Sequence, residues 1–340
     1  MGSNDLVVIF FKGGALKSGS IRIAGAAVAL LIPLATLSPV TSGAAAPKVT
    51  TLNVGIVPSL TWGLINIAQN QGYFKSAGVK VNVTPADSGA AVVTGVVAGT
   101  YDVGYTAMTP PLSAVANGAP LHFVVGQDTV GAPGTNGCLL VTKKSGITKI
   151  SQLAGATIAS NAPRSFASLA ALGAIANAGG DTSNVSISPT DFNLMADELT
   201  TGAVQAASDI FPFCSEIQAA LPSSVVNLGD PEALTFPVGT PYAMFFTSQS
   251  SWDGSKKAAI KGFAAAMTKA VTYGNAHLSL VAKLGGMDNG EPAALAAATP
   301  MAKFRATVTA GSLRTVLYNM KRAGWISAAP DLTSFFSTTN

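Results

Sequence analysis

The stretch LNVGIVPSLTWGLINIAQNQGYFKSAGVKVNV, residues 52–83, contains the pattern that decides the fold. A β-rich run occupies 52–57, a helical pattern follows at 59–71, and a second β-rich run closes the stretch at 79–83. The alternation then continues along the chain at spacings of about 20–25 residues. Because strands that alternate with helices form βαβ units, we predict an α/β fold with largely parallel sheets.

The first series of elements ends at a segment rich in Gly, Pro, Thr and Asn, residues 128–137. It contains further helices at 88–98 and 110–117 and further strands at 101–105 and 121–125. A second series follows, with strands near 138–142, 157–160, 185–187 and 206–209 and a helix at 163–178.

Turn residues recur at 236–241, and 242–246 reads as a strand that runs back. The chain then becomes helical, at 255–284, 292–297, 311–323 and a last turn near 332–336. Two turn-rich segments suggest two crossings between lobes. We therefore predict a discontinuous lobe 1 of residues 47–133 and 240–340, with lobe 2 inserted as residues 134–239.

The N-terminus has the order of a secretory signal. Arg22 precedes a mostly apolar run at 23–37, and small residues end at Ala46. Pro33 interrupts the run, which makes a membrane anchor the weaker alternative. We predict a signal peptide at 1–46 and a periplasmic mature protein, with the apolar stretch 6–11 leaving the position of the true start codon open.

Composition excludes two classes of protein. Hydrophobic residues make up 48%, charged residues 11%, and the mean hydropathy is +0.41, which argues against a disordered chain. The largest basic clusters are pairs of residues, so no nucleic-acid partner is expected.

Sequence motifs for catalysis and metal binding are missing. The chain has two histidines, His122 and His277, and lacks G-x-S-x-G, S-x-x-K, H-E-x-x-H and C-x-x-C. We therefore expect no catalytic residues, no metal and no cofactor.

Four segments in order carry a family resemblance: LNVG at 52–55, AQNQGYFKSAGV at 68–79, AGTYDVG at 98–104 and ISQLAGATIA at 150–159. They resemble periplasmic solute-binding proteins of ABC importers, in the family that binds nitrate, sulfonates, taurine and thiamine pyrimidine precursors. The resemblance implies a type II periplasmic binding fold, two βα lobes with two hinge crossings and a ligand cleft between them. It also implies a protein that delivers a small molecule, such as a sulfonate, carboxylate or heterocyclic precursor, to a membrane permease. We expect it to act as a monomer. The alternative is an enzyme on the same scaffold, either hydrolytic or similar to a synthase of the thiamine pyrimidine precursor.

Loops that follow strands locate the candidate cleft, because open α/β sheets bind ligands at that edge. The candidates in lobe 1 are Ser59, Trp62, Asp87, Ser88, Thr106 and Met108. Those in lobe 2 are Asn161, Arg164, Phe192 and Phe211. Ser59 and Ser88 could instead serve as helix caps, and the aromatic residues could instead pack in the core. Arg164, the one cation in these loops, is either a bidentate partner for a carboxylate or sulfonate or a solvated arginine in a first helical turn.

The two cysteines, Cys138 and Cys214, both fall in lobe 2. An exported chain can oxidise them to a disulfide, and two buried free thiols are the alternative.

Overall fold

The computed structural model describes residues 49–337. The predicted signal peptide at 1–46 lies outside the described residues. Within 49–337, no helix combines the length and the apolar character needed to cross a membrane.

The first of two five-stranded sheets gathers strands from the beginning and the end of the described chain. Its strands are β1 (Thr50–Ile56), β2 (Val79–Pro85), β3 (Val103–Ala107), β4 (Leu121–Gly126) and β10 (Ala243–Ser248). Their spatial order is β2-β1-β3-β10-β4, and β10 runs antiparallel to both its neighbours. We call the part of the chain built on this sheet lobe 1.

The second sheet uses only the strands between β4 and β10. They are β5 (Gly137–Thr142), β6 (Thr157–Ser160), β7 (Ser186–Pro189), β8 (Ala206–Ile210) and β9 (Val225–Asn227). Their spatial order is β7-β6-β8-β5-β9, and β5 is antiparallel to β8 and β9. We call this part lobe 2. In each sheet the antiparallel strand is fourth in order and directly follows a passage of the chain from the other lobe.

Helices cover both faces of each sheet, as mainly parallel sheets require. In β10, Phe245 belongs to one core cluster and its neighbour Phe246 to another, so the two faces of the sheet are both buried. In β5, Leu139 and its neighbour Leu140 likewise belong to different core clusters, one on each face of the second sheet. The helices of lobe 1 are α1 (Gly63–Asn70), α2 (Tyr73–Ser76), α3 (Gly89–Val97), α4 (Thr109–Ala116), α9 (Gln249–Asp253), α10 (Lys257–Ala276), α11 (Leu278–Asp288), α12 (Ala293–Ala298) and α13 (Arg314–Arg322). Those of lobe 2 are α5 (Phe166–Asn177), α6 (Met195–Thr201), α7 (Phe213–Ala220) and α8 (Pro231–Thr235).

The two passages between the lobes pair with each other as a short antiparallel ribbon. The Val130 N–H donates to the Thr240 carbonyl at 2.8 Å, and the Gly239 N–H donates to the Val130 carbonyl at 2.7 Å. One residue pair further along, the Tyr242 N–H donates to the Asp128 carbonyl at 2.8 Å. The connection between the lobes is therefore a hydrogen-bonded pair of strands.

One helix differs from the sequence-based prediction. The single helix predicted at 255–284 is wrong, because α10 ends at Ala276 and α11 begins at Leu278. Gly and Asn lower helix propensity just before this break, and the Asn275 side chain instead bonds the backbone of Phe304, with distances of 2.8 and 3.0 Å. The last turn predicted near 332–336 is confirmed: the Phe336 N–H donates to the Leu332 carbonyl at 3.0 Å, and Phe335 is buried there against Phe123.

Cys138 of β5 and Cys214 of α7 form a disulfide, with 5.9 Å between their Cα atoms. The bond lies within lobe 2, and its two ends are 76 residues apart in sequence.

Candidate ligand-binding cavity

A cavity of about 600 Å³ lies between the two lobes. Its walls come from loops at the carboxyl ends of strands in both sheets, from both passages between the lobes, and from the segment 300–304. This is the sheet edge at which α/β folds bind ligands. The volume suits a small organic molecule.

Most of the wall is apolar, with contributions from both lobes. Lobe 1 and the 300–304 segment supply Val57, Leu60, Val93, Met301 and Phe304, and lobe 2 supplies Phe166, Phe192, Ile210 and Phe211. A ligand in this cavity therefore exchanges water for apolar contact over most of its surface.

One strip of the wall is polar, and its four side chains are linked by hydrogen bonds. The Ser59 and Thr61 hydroxyl oxygens lie 2.9 Å apart, and the Thr61 oxygen lies 2.7 Å from the Tyr105 hydroxyl. Thr61 donates to Asp128 Oδ2 at 3.1 Å, and the Tyr105 hydroxyl donates to the same oxygen. We call Ser59, Thr61, Tyr105 and Asp128 the polar strip.

Local structure explains how these side chains meet. A 3₁₀ turn, Leu60–Trp62, follows β1 and turns Thr61 toward the cavity, while Tyr105 projects from the neighbouring strand β3. Asp128 begins the passage out of lobe 1, and a β-bridge to Phe304 holds its backbone. Gln127 adds a bond from its amide nitrogen to the Thr61 carbonyl at 3.3 Å.

Burial alters the acidity of this strip. It raises the pKa of Asp128 to about 6, against hydrogen bonds from Tyr105, Thr61 and Gln127 that act to lower it. Burial and the nearby Asp128 carboxylate raise the pKa of Tyr105 well above its ordinary value. Asp128 is therefore mostly ionised at pH 7, and Tyr105 keeps its proton.

Further acidic groups act on the same wall from beneath the return passage. Burial raises the pKa of Tyr242 well above its ordinary value, and the carboxylates of Glu232, Asp128, Asp230 and Asp209 raise it further. Tyr242 itself lines the cavity. Arg164 also lines the cavity, but its side chain is exposed to solvent.

Six of the sequence-predicted site residues line this cavity. They are Ser59, Thr106, Asn161, Arg164, Phe192 and Phe211. The strand-end argument thus brings together residues from both lobes that are far apart in sequence.

The other four candidates lie elsewhere. Trp62 packs against the core of lobe 1, because the 3₁₀ turn that aims Thr61 at the cavity aims the next side chain away from it. Met108 is fully buried in the core, and Asp87 is exposed outside the cavity. Ser88 caps α3 by accepting a hydrogen bond from the Ala91 N–H at 3.2 Å, so it takes the helix-cap role that was the alternative to ligand contact.

Sequence reasoning missed the centre of the polar strip. Thr61 and Tyr105 are not among the sequence-predicted site residues, and the sequence pattern identifies Asp128 only as the start of a turn-rich segment. A signal for Asp128 was available, since it is an acidic residue that follows a buried strand almost directly. Tyr105 carried no such signal, because an aromatic residue inside a strand reads as core.

Among residues 49–337, no group of three or more His, Cys, Asp or Glu side chains is arranged to hold a metal ion. His122 stacks on Trp252 with 3.9 Å between ring centroids, and His277 lies at the break between α10 and α11. Neither histidine lines the cavity.

Known structures share this architecture. The periplasmic aliphatic sulphonate binding protein SsuA from Escherichia coli matches with a TM-score of 0.69 at 18% identity, over 87% of this chain and 94% of that one. The alkanesulfonate-binding protein SsuA from Xanthomonas axonopodis pv. citri, bound to MOPS, matches with a TM-score of 0.66 at 19% identity, over 84% and 96%. The periplasmic nitrate-binding protein NrtA from Synechocystis PCC 6803 matches with a TM-score of 0.67 at 14% identity, over 84% of each chain.

At these identities the structural matches show the fold, that of periplasmic binding proteins. No curated protein has a significant sequence match to the chain. The family model described as "NMT1/THI5 like" matches residues 62–277, which is more than half of the chain. This chain therefore belongs to the NMT1/THI5-like family.

Proposed function

We propose that this protein is the extracytoplasmic solute-binding component of an ABC-type importer. The observation that carries the proposal is the cavity, whose walls come from both lobes and from both passages between them. Such a cavity can enclose a solute only through the joint action of the two lobes. Its apolar wall and short polar strip suit a small organic molecule.

Capture would work by hinge closure. A ligand that touches both lobes gains its full set of contacts only when the lobes are shut, so it stabilises the closed form. The ribbon formed by 128–130 and 239–242 is the natural hinge, since it alone joins β4 to β5 and β9 to β10 within the described chain. We propose residues 47–133 with 240–340, and residues 134–239, as the two moving bodies.

Delivery to a membrane permease, export by the signal peptide at 1–46, a periplasmic location and a monomeric state complete the proposal. Support comes from the fold shared with periplasmic sulfonate-binding and nitrate-binding proteins. A solute receptor would release its ligand unchanged, whereas an enzyme on this scaffold would convert it.

The test is a panel of sulfonates, carboxylates and nitrogen heterocycles, screened by thermal shift on the wild type and two variants. Ala90→Trp would fill the cavity from the first turn of α3, and Ala98→Trp, at the other end of that helix and outside the cavity, is its matched control. We expect a stabilising compound whose effect is lost in Ala90→Trp, kept in Ala98→Trp, and which mass spectrometry recovers intact. Stabilisation that survives Ala90→Trp, or conversion of the compound, would contradict the proposal.

A further inference from the structure

The polar strip offers hydrogen-bond acceptors rather than donors to the cavity. Thr61 and Tyr105 each carry one hydroxyl hydrogen; that of Tyr105 goes to Asp128 Oδ2, and that of Thr61 is taken up by the same carboxylate oxygen and the Tyr105 oxygen. An ionised carboxylate can only accept, so it orients the strip, and the Ser59 hydrogen then points to Thr61 at 2.9 Å. What remains for a ligand is oxygen lone pairs.

Asp128 itself keeps accepting capacity. Its Oδ2 atom receives Thr61 and Tyr105, while Oδ1 receives only a long contact of 3.5 Å from the Gln127 amide. Asp128 lines the cavity and is 7% exposed, so its free lone pairs face a largely dry space. A charge-assisted hydrogen bond made there is stronger than one made in water.

The charged groups around the cavity also favour a hydrogen-bond donor that carries positive charge. Asp128 is the one carboxylate in its lining, and Asp230 adds negative potential behind Tyr242. The one basic lining side chain, Arg164, is exposed and therefore screened by water.

The N-termini of α3 and α5 oppose this negative potential. Each helix N-terminus carries roughly half a positive charge and would favour an anion. Ser88 and Ser165 already satisfy one first-turn N–H each, those of Ala91 and Ser168. The formal charge of the buried Asp128 outweighs the partial charges that remain.

We infer that the ligand places a cationic N–H group, such as an ammonium, an amidinium or a protonated ring nitrogen, against Asp128 and the polar strip. This rests on the proposed solute-binding function and narrows it. The sulfonate and nitrate named for the structural matches would present only acceptors to this strip.

The test compares two probes with the same ring and opposite charges, benzamidine and benzenesulfonate, by calorimetric titration at pH 7.5. The proteins are the wild type, Asp128→Asn and Arg164→Gln. We expect benzamidine to bind the wild type in preference to benzenesulfonate. Its affinity should fall by about tenfold or more in Asp128→Asn and should not fall in Arg164→Gln, because the latter change removes a positive charge from the cavity lining.

Preference of the wild type for benzenesulfonate, with loss of that binding in Arg164→Gln, would overturn the inference and leave the solute-binding proposal standing. The wild-type comparison needs no variant, so it remains decisive even if Asp128→Asn fails to fold. Binding of neither probe would also overturn the inference. Only if the whole compound panel failed as well would the proposed function fall with it.

Discussion

The hydroxyl oxygens of Thr61 and Tyr105 lie 2.7 Å apart, and both hydroxyls donate to the same carboxylate oxygen of Asp128. Thr61 follows β1, Tyr105 lies in β3, and Asp128 begins the passage to lobe 2. The side chains that we propose as the polar contacts of a solute are therefore joined by hydrogen bonds to the segment about which the lobes would move. A substitution at Asp128 should therefore change both the ligand affinity and the motion of the lobes about the hinge.

Removing the Tyr105 hydroxyl should destabilise the ionised form of the Asp128 carboxylate. In Tyr105→Phe one of the hydrogen bonds that favour the ionised carboxylate is lost, so the pKa of Asp128 should rise above about 6. The midpoint for loss of benzamidine binding on acidification should move to higher pH by the same amount, as measured by titration between pH 5 and 8. Tyr318→Phe, at a tyrosine that is 64% exposed, is the control and should leave the midpoint in place.

Glu232 should make stability fall as the pH rises. Burial, with Asp230 and Asp209 nearby, raises its pKa well above the ordinary value, so the folded state holds its proton more tightly than the unfolded state does. The free energy of unfolding then decreases with pH above the ordinary glutamate pKa, by up to about 1.4 kcal/mol per pH unit for one proton. Glu232→Gln should raise Tm at pH 8 more than at pH 5.

Denaturation scans at the two pH values check this, with the exposed Asp197→Asn as control. Asp209 shifts in the same direction, so some pH dependence should persist in Glu232→Gln. A variant that is less stable than the wild type at pH 8 would show that the Glu232 carboxylate is stabilising there, which contradicts the argument.

The disulfide should stabilise lobe 2 without shaping the cavity. Closing a loop of 76 residues is worth about 4 kcal/mol in the chain-entropy model, although measured values are often smaller. Replacing both Cys138 and Cys214 by Ala should lower Tm markedly and leave the affinity of the folded protein unchanged, since neither residue lines the cavity. An unchanged Tm, in a protein whose wild type shows no free thiols by chemical titration, would contradict this.

Trp62 should matter for folding rather than for ligand contact. Its side chain packs against the lobe 1 core and does not line the cavity. Trp62→Ala should cost about 2 kcal/mol of stability, near the lower end for large-to-small core changes because the side chain is only half-buried. Affinity measured on the folded fraction should change less than threefold; a tenfold loss with an unchanged Tm would return Trp62 to the site.

Local patterns predicted much of the scaffold. The glycines that bracket α2, Gly72 and Gly78, have φ angles of 68° and 66°, as the turn around 72–79 required. The run-back strand predicted at 242–246 is confirmed as β10. Its position between β3 and β4 was not predictable, because strand order depends on contacts between distant segments rather than on local pattern.

The candidate site was likewise predictable only in part. Position after a strand was enough to find Asn161 and Phe211, because the backbone path alone brings such loops to one edge. The direction in which a side chain points could not be predicted in this way. A single 3₁₀ turn places Thr61 in the cavity wall and packs Trp62, the predicted site residue, against the core. Short helices such as α6 and α8 also escaped, since elements of seven and five residues carry little periodic signal.

The central claim, that a solute is enclosed by closure of two lobes, is tested most directly by an inter-lobe distance. Val97 in lobe 1 and Leu194 in lobe 2 are exposed, and the native cysteines are joined to each other, so Val97→Cys and Leu194→Cys can be spin-labelled selectively. Double electron–electron resonance should give one distance distribution without ligand and a distribution shifted toward a single closed-state distance with the tightest-binding compound of the panel. An identical distribution in the two states, with the cavity demonstrably occupied, would contradict the account.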